Sequence, residues 1–383
     1  MKSVLFRLYL QLMRLLGHFV AIKDKQVVIL NGAGRSGSNG YLFYKYLQEK
    51  HPEYQVTLVE PWPSSHLPWS SWKKIAAAKY VVTTHQPFKI HASQVNVQLW
   101  HGFPLKRMGI MASNTRHKDN QRNAKLWHKN ADLIASSSDL YETLMSSCVS
   151  VEAQKYQKTG FPRLDYLKTS PITRKQLLQD LFGLADDQAK IGIYMPTFRY
   201  ELEDDNIMKE IGQGNFFASD DFEIEALNEA LKKRHQYLIV KLHPYEMKLF
   251  SASEIEYSNL AFLNNDYLFK NDHDLYELLA NTDFLMTDFS SIYFDYLELD
   301  RPIIFMANHL QEYDKTRGLL FGPYKQVVPG PVVYSQADFV KQLDELDKPM
   351  YQERRHYWHD LTNQVQNKNY CDLLFEAMTK LTR

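Results

Sequence analysis

Cysteine is scarce: Cys148 and Cys371 are the only two in 383 residues and stand far apart. A disulfide framework and a cysteine-based zinc site are thereby excluded as organising devices, and a reducing cytoplasm is the expected home. Charge of one sign is lacking too, because 45 basic side chains face 45 acidic ones. That balance argues against a nucleic-acid binder and leaves any recognition of a polyanion to local clusters. No HExxH is present, and no carboxylate at ligand spacing turns the two strand-end histidines discussed below into a metal site. Fixed-period repeats, coiled-coil heptads and low-complexity tracts are also missing.

A long uncharged apolar run is absent as well. The opening MKSVLFRLYLQLMRLLGHFV interrupts its apolar residues with Lys2, Arg7 and Arg14. Arg7, Gln11, Arg14 and His18 recur at i, i+4, i+7 and i+11, one helical face, with the rest of the circumference apolar. Two arginines inside the run make a spanning helix costly, and no small-residue cleavage site follows. The pattern predicts a basic amphipathic helix over 1–22 lying on the cytoplasmic leaflet, or packed on the protein's own core.

What remains is an alternation of strands and helices too long for one core. Strands are expected at Gln26–Leu30, Gln55–Val59, Tyr80–Thr83, Val95–Trp100 and Asp132–Ser136, with helices at Tyr41–Lys50, Trp72–Lys79 and Asp139–Ser146. A connecting helix within Leu167–Asp187 leads to a second series, with strands Ile191–Tyr194, Gln236–Leu242, Asp283–Thr287 and Pro302–Phe305. Its helices are Asp221–Arg234, Asp274–Ala280 and Ile292–Leu299, and the chain reads as helical from Gln336 onward. The polar segment Tyr200–Ala218 is expected to be a mobile loop. The fold class is therefore α/β, two doubly wound Rossmann-like domains over 23–180 and 181–383 facing across a cleft.

Ligands of such sheets sit at the carboxyl ends of the strands, and these ends are where polar residues gather. Gly32-Ala-Gly34-Arg-Ser36-Gly37 follows the first strand, with Glu60 ending the next. That combination matches a dinucleotide fingerprint and opens the rival reading of an NAD-dependent oxidoreductase. His101, Gly102 and Lys106 follow another strand, and Lys241 and His243 a third. Thr197 and Arg199 follow Tyr194, while Thr287, Asp288, Ser290 and Ser291 open a helix that carries Asp295. The two serines with the first amides of that helix suit a phosphate, and equally suit simple capping. A strand-end imidazole suits proton transfer near neutral pH, and equally a structural hydrogen bond. Asp272-His-Asp274 resembles a metal-binding Asp-x-Asp but reads as a capping box with Glu277. Seven Lys or Arg residues against Asp119 alone between Lys106 and Lys129 form an electropositive lip or a solvated face.

Taken in order, LWHGFPLKRMG (99–109), GFPRLD (160–165), YMPTFR (194–199), KLHPY (241–245) and MTDFSSIYFDYLELDRPIIF (286–305) resemble the CDP-glycerol glycerophosphotransferases of Gram-positive wall teichoic acid synthesis. The likeness covers about residues 95–320. Phe289 and Phe103 depart mildly from the family pattern, where Tyr and a small or hydroxyl residue are usual. The resemblance implies a GT-B-type transferase with His101 and His243 as the essential imidazoles. It implies CDP-glycerol on the C-terminal domain, near Thr197, Arg199, Lys241, Thr287, Asp288, Ser290, Ser291, Asp295, Arg317 and Gly318. Gly34, Ser36, Gly102, Lys106 and Arg163 would lie toward the acceptor, an undecaprenyl-linked saccharide at the inner face of the plasma membrane. No cofactor is implied. The reaction needs a base for the acceptor hydroxyl and fixed donors for the phosphates, for which His101 and His243 respectively are the candidates, with exchange of roles open. The chain's length suits a priming enzyme, and CDP-ribitol is the alternative donor.

Overall fold

The computed structural model describes residues 2–64, 66–186, 188–249, 256–365 and 368–381. Twelve strands form two all-parallel sheets. In chain order they are β1 (Lys23–Leu30), β2 (Gln55–Val59), β3 (Ala78–Thr83), β4 (Val95–Gln98), β5 (Leu133–Ser136) and β6 (Tyr156–Lys158), then β7 (Lys190–Tyr194), β8 (Gln236–Val240), β9 (Leu260–Phe262), β10 (Phe284–Thr287), β11 (Ile303–Met306) and β12 (Val332–Val333). Near-continuous apolar runs such as VVIL and FLMT are fully buried, as expected of strands covered on both faces.

The first sheet has the order β2-β1-β3-β4-β5-β6, and the second β12-β11-β10-β7-β8-β9. Each order reverses once, between β1 and β3 in the first and between β7 and β10 in the second. At such a switch point two connections leave in opposite directions and open a crevice at the carboxyl ends. The glycine loop after β1 and the polar turns after β7 and β10 fall at these points, while His101 follows β4 and His243 follows β8, one strand further along each sheet.

The chain divides into two compact units, but not by a single cut at residue 180. The first comprises 1–101, 117–166 and 363–383, and the second 102–116 and 167–362. Residues 102–116 join the second unit because Phe103 packs on Phe294 at 4.2 Å and Lys106 forms an antiparallel bridge with Leu319. The C-terminal helix Tyr370–Lys380 joins the first because Asp165 accepts the amides of Tyr370 and Cys371 at its N-terminus, at 3.0 and 2.8 Å. Asp165 ends the GFPRLD motif, which explains an acid at that position.

One expectation needs correction. Segment 200–218 is not an open loop: Asp204 caps a helix over Asp205–Gly212 whose Ile207 and Ile211 are buried, and Phe216 and Phe217 enter the second core. The expected connecting helix is Arg174–Phe182, and a second helix, Pro162–Lys168, precedes it before Pro171. The N-terminal helix, Lys2–Gly17, turns one apolar side (Tyr9, Leu10, Met13) onto the first core. Leu8, Leu12, Leu15, Leu16 and Phe19 stay exposed, Phe19 by 84%. The side chains of Lys2 and Arg7 lie outside the described residues. Among the described residues no helix is long and apolar enough to cross a membrane.

Candidate active site

In the first unit the ends of β3 and β4 converge on His101. Its Nδ1 lies 3.1 Å from the carbonyl oxygen of Thr84, a group that only accepts. The ring hydrogen therefore resides on Nδ1, and Nε2 carries the lone pair, the arrangement a general base requires. The exposed His101 ring stacks on His85 at 4.5 Å and on Trp100 at 4.0 Å. Burial pushes the His85 imidazole below its ordinary value, so it stays neutral beside its neighbour.

Trp100 has φ +52°, a left-handed conformation that a bulky side chain adopts only under constraint. The constraints are visible. Its amide donates to Gln98 Oε1 at 2.8 Å, its carbonyl accepts from Asn39 Nδ2, and its ring meets Trp127 edge-on. The sharp turn between Leu99 and His101 is what aims the imidazole.

The glycine loop serves the same histidine. Arg163 is buried and donates from Nη1 to the carbonyls of both Gly37 and His101, each at 3.0 Å. It thus fastens the loop to the catalytic candidate rather than lining an open acceptor surface. Glu60 is occupied as well: Arg35 Nη1 pairs with it at 2.6 Å and Asn31 Nδ2 donates to it at 2.9 Å. A ribose-binding acid would have to give up both partners, which counts against the dinucleotide reading. Gly32 is required for space, since a Cβ there would lie 2.7 Å from the Trp62 carbonyl and 2.8 Å from His85 Nδ1. Gly34 carries φ +60° and Ser36 is exposed at the loop's tip.

In the second unit the switch point gathers polar groups of a different kind. Asp288 accepts the Thr197 amide at 2.7 Å, and the Thr287 hydroxyl donates to the Met195 carbonyl, so both lock β7 to β10. Asp295 is buried and accepts from Tyr276, which removes it from a ribose contact in this arrangement. Arg199, also buried, pairs with Glu246 at 3.2 Å and donates to Tyr194 Oη at 3.1 Å. Burial opposes its charge, but Tyr194, Glu246 and Asp288 more than restore it. Burial likewise raises the Asp288 carboxyl against the pull of Arg199.

Several donors here have nothing to bind. Thr197 Oγ1 and Arg199 Nη2 are buried without a hydrogen-bond partner among the described residues, and both side chains line one pocket with Asp288, Asn308 and His309. Lys241, at the end of β8, has only neutral partners, Asn265 Oδ1 at 3.0 Å and the Leu242 carbonyl. Burial lowers it from 10.5 to about 8. Ser291 occupies the cap of the helix Ile292–Tyr296 but makes no side-chain capping bond. His243 is exposed and stacked on Phe198 at 3.9 Å, and its Nδ1 accepts from the Tyr245 amide at 3.3 Å. The neutral ring then carries its hydrogen on Nε2, making His243 a donor where His101 is an acceptor.

Gly102 and Lys106, expected on the acceptor side, belong to the second unit, where Arg107 N–H donates to the Gly318 carbonyl. Gly318 (φ +64°) closes the helix Leu310–Thr316, and Arg317 faces a pocket with Glu203 and Asp205. Asp274 and Glu277 form the expected capping box. Among the described residues no cluster of His, Cys, Asp or Glu could hold a metal ion. His85 and Thr84 went unnoticed in the sequence. Their signal was available, a polar Thr-His pair directly after a predicted strand.

Two Rossmann-like units, each with an imidazole at its carboxyl edge and one with unsatisfied donors at its switch point, define a GT-B-type α/β protein. The chain belongs to the CDP-Glycerol:Poly(glycerophosphate) glycerophosphotransferase family, whose model matches residues 12–379. It is 26% identical over 357 residues to a teichoic acid poly(glycerol phosphate) polymerase of Bacillus subtilis (strain 168), covering 86% of this chain and 45% of that protein. With a Staphylococcus aureus teichoic acid glycerol-phosphate transferase it shares 27% over 316 residues, 78% of this chain and 76% of the other. A B. subtilis teichoic acid glycerol-phosphate primase is 25% identical, over 88% and 79%. The chain thus spans about half of the B. subtilis polymerase and about three quarters of the S. aureus transferase and the B. subtilis primase. Among solved structures, the wall teichoic acid polymerase TagF superposes with a TM-score of 0.76 at 22% identity, covering all of this chain and 97% of that one. TagF has also been solved as a histidine-to-asparagine variant soaked with CDPG. UDP-GlcNAc 2-epimerase from Neisseria meningitidis shares the fold at 0.50 and 14% identity, covering 94% of this chain and all of that one, so the fold alone does not choose the reaction.

Proposed function

We propose that the protein transfers glycerol phosphate from CDP-glycerol to a hydroxyl of a lipid-linked saccharide, releasing CMP, in teichoic acid synthesis. The observation that carries this reading is the pair of opposite tautomers: His101 offers a lone pair at Nε2, and His243 a hydrogen at Nε2. His101 takes the acceptor's proton as its oxygen attacks the β-phosphorus. A phosphodiester forms, the bond from that phosphorus to the bridging oxygen breaks, and the electron pair leaves with CMP. His243, Lys241 and the unsatisfied hydroxyl and guanidinium groups near β7 and β10 neutralise charge on the phosphoryl oxygens. Family membership and the CDPG soak of TagF support the choice of donor.

The acceptor side rests on the N-terminal helix. Its row of exposed leucines with Phe19 would cost burial elsewhere in water and suits contact with the inner face of the plasma membrane. The reading extends to addition of a first unit, that is, priming. Incubation of the full chain with radiolabelled CDP-glycerol, CDP-ribitol and a lipid-linked acceptor tests it. CMP release with one added glycerol phosphate is the expected outcome. A long product would replace priming by polymerisation, preference for CDP-ribitol would change the donor, and no CMP release would remove the reading.

A further inference from the structure

An open groove of about 680 Å³ crosses the first unit, in the size range of small-molecule sites, about 300–1,000 Å³. Its walls are Phe6 and Leu10 of the N-terminal helix, Trp62 and Phe88 of two loops, and Leu126 of the helix His117–Asn130, and His85 lines it as well. His85 is the ring stacked on His101, so the groove's lining touches the candidate base. Its lining is predominantly apolar, which by itself names no occupant.

A cation in the same wall does. Arg14 lines the groove with its guanidinium 4.6 Å over the Phe88 ring. Its Nε is buried without a hydrogen-bond partner, and no acidic side chain pairs with it among the described residues. Burial alone acts on this group, lowering it from its ordinary value. A buried guanidinium nitrogen without a partner costs free energy that an anionic ligand would recover, and phosphate oxygens match the guanidinium's fork. The helix that supplies Arg14 also carries exposed Leu8, Leu12 and Leu15, with Phe19 exposed just beyond its end, which suits a place beside a membrane surface.

We propose that this groove holds the apolar chain of the lipid-linked acceptor, with its phosphate on Arg14 and its hydroxyl-bearing head directed past His85 to His101. The inference rests on the function proposed above, and adds that the acceptor saccharide is joined to its lipid through a phosphate. It gives the N-terminal helix a second task besides membrane contact: one wall of a substrate site. It also turns the sequence's basic stripe around, since Arg14 serves the groove and not the solvent.

The test is binding of farnesyl monophosphate to the full chain by calorimetry, below the lipid's aggregation concentration, with farnesol and inorganic phosphate in parallel. Farnesyl phosphate is expected to bind at least tenfold more tightly than farnesol, and inorganic phosphate more weakly than either. Arg14→Gln should erase the advantage of the phosphate, as loss of a charge-assisted contact does, while Leu126→Asp should weaken farnesol and farnesyl phosphate alike. Melting curves establish that each variant is folded, and two variants on different elements keep the test open if one is not. Equal affinity for farnesol and its phosphate, or unchanged binding in both variants, overturns the proposal. So does a dimer dissolved by Leu126→Asp without lipid binding, which would assign the groove to a second copy. A protein that turns over CDP-glycerol but ignores farnesyl phosphate loses the groove and keeps the function. One that binds the lipid but not CDP-glycerol loses the function and keeps the groove.

Discussion

At the carboxyl edge of the first sheet, polar side chains hold backbone. Arg163 grips two carbonyls, Asn39 reaches the carbonyls of Leu99 and Trp100, and Gln98 supports the Trp100 amide. At the edge of the second, donors wait: among the described residues Thr197 Oγ1 and Arg199 Nη2 have no hydrogen-bond partner, and the Lys241 ammonium has only neutral ones. One edge spends its hydrogen bonds fixing an imidazole in direction and tautomer, the other stores unsatisfied positive character. A base must be aimed before substrate arrives, whereas a diphosphate can bring its own oxygens to the groups that need them. Under the proposed function, the first edge is the one preorganised for chemistry and the second the one left open for binding.

The largest effect should come from cutting that contrast at His101. His101→Gln keeps a polar side chain but has no proton-accepting nitrogen, so CMP release is expected to fall about 10²–10⁴-fold. Calorimetric affinity for CDP-glycerol should stay near wild type, because the waiting donors belong to the second unit. A variant that loses donor affinity in proportion to rate would erase the division between base and binder.

A second, smaller effect concerns Lys241. The folded ammonium sits at about 8 against an ordinary 10.5, a difference that costs roughly 3 kcal/mol. Below pH 8 the group is charged whether the chain is folded or not, so the whole cost is present. As pH rises from 8 to 10.5 the folded chain sheds its proton first and the cost disappears. Denaturant titrations should therefore show wild type gaining stability across that window relative to Lys241→Met, which should be the more stable of the two at pH 7. CDP-glycerol should narrow the gap at pH 7 by binding wild type alone with full affinity. Equal pH profiles would mean that Lys241 is solvated or paired and does not wait for a ligand.

How much of this was legible beforehand follows the same physics. Long apolar strands such as VVIL and QYLIV betray themselves because both faces of the sheet are covered, and His101 and His243 stand out because they follow such runs. Tyr156–Lys158 and Val332–Val333 do not, being two or three residues at sheet edges where pairing comes from a neighbour and not from local pattern. Residues 200–218 look polar because the helix there is short and buries only two side chains, Ile207 and Ile211. The exchange of 102–116 and 363–383 between units depends on Phe103 meeting Phe294 and on Asp165 meeting a distant helix. No window of sequence contains such pairs. His85 was within reach by the strand-end rule, but Glu60 was misleading: its fitness for a ribose was real in type and position, and only the structure reveals Arg35 already there.

The finest discrimination lies in three serines. Ser38 and Ser138 in the first unit accept the amides of Tyr41 and Tyr141 at 3.0 and 3.1 Å, capping the helices Asn39–Lys50 and Asp139–Val149. Ser291 sits at the same kind of position in the second unit with no such bond, in a helical backbone conformation. Ser38→Ala and Ser138→Ala should each cost about 1 kcal/mol in unfolding free energy. Ser291→Ala should cost under about 0.5 kcal/mol, as substitutions without a lost partner do. Its effect should appear instead in a severalfold weaker affinity for CDP-glycerol, read by calorimetry. A Ser291→Ala protein as destabilised as the other two, with unchanged donor affinity, would make Ser291 an ordinary cap and take the second edge a step closer to the first.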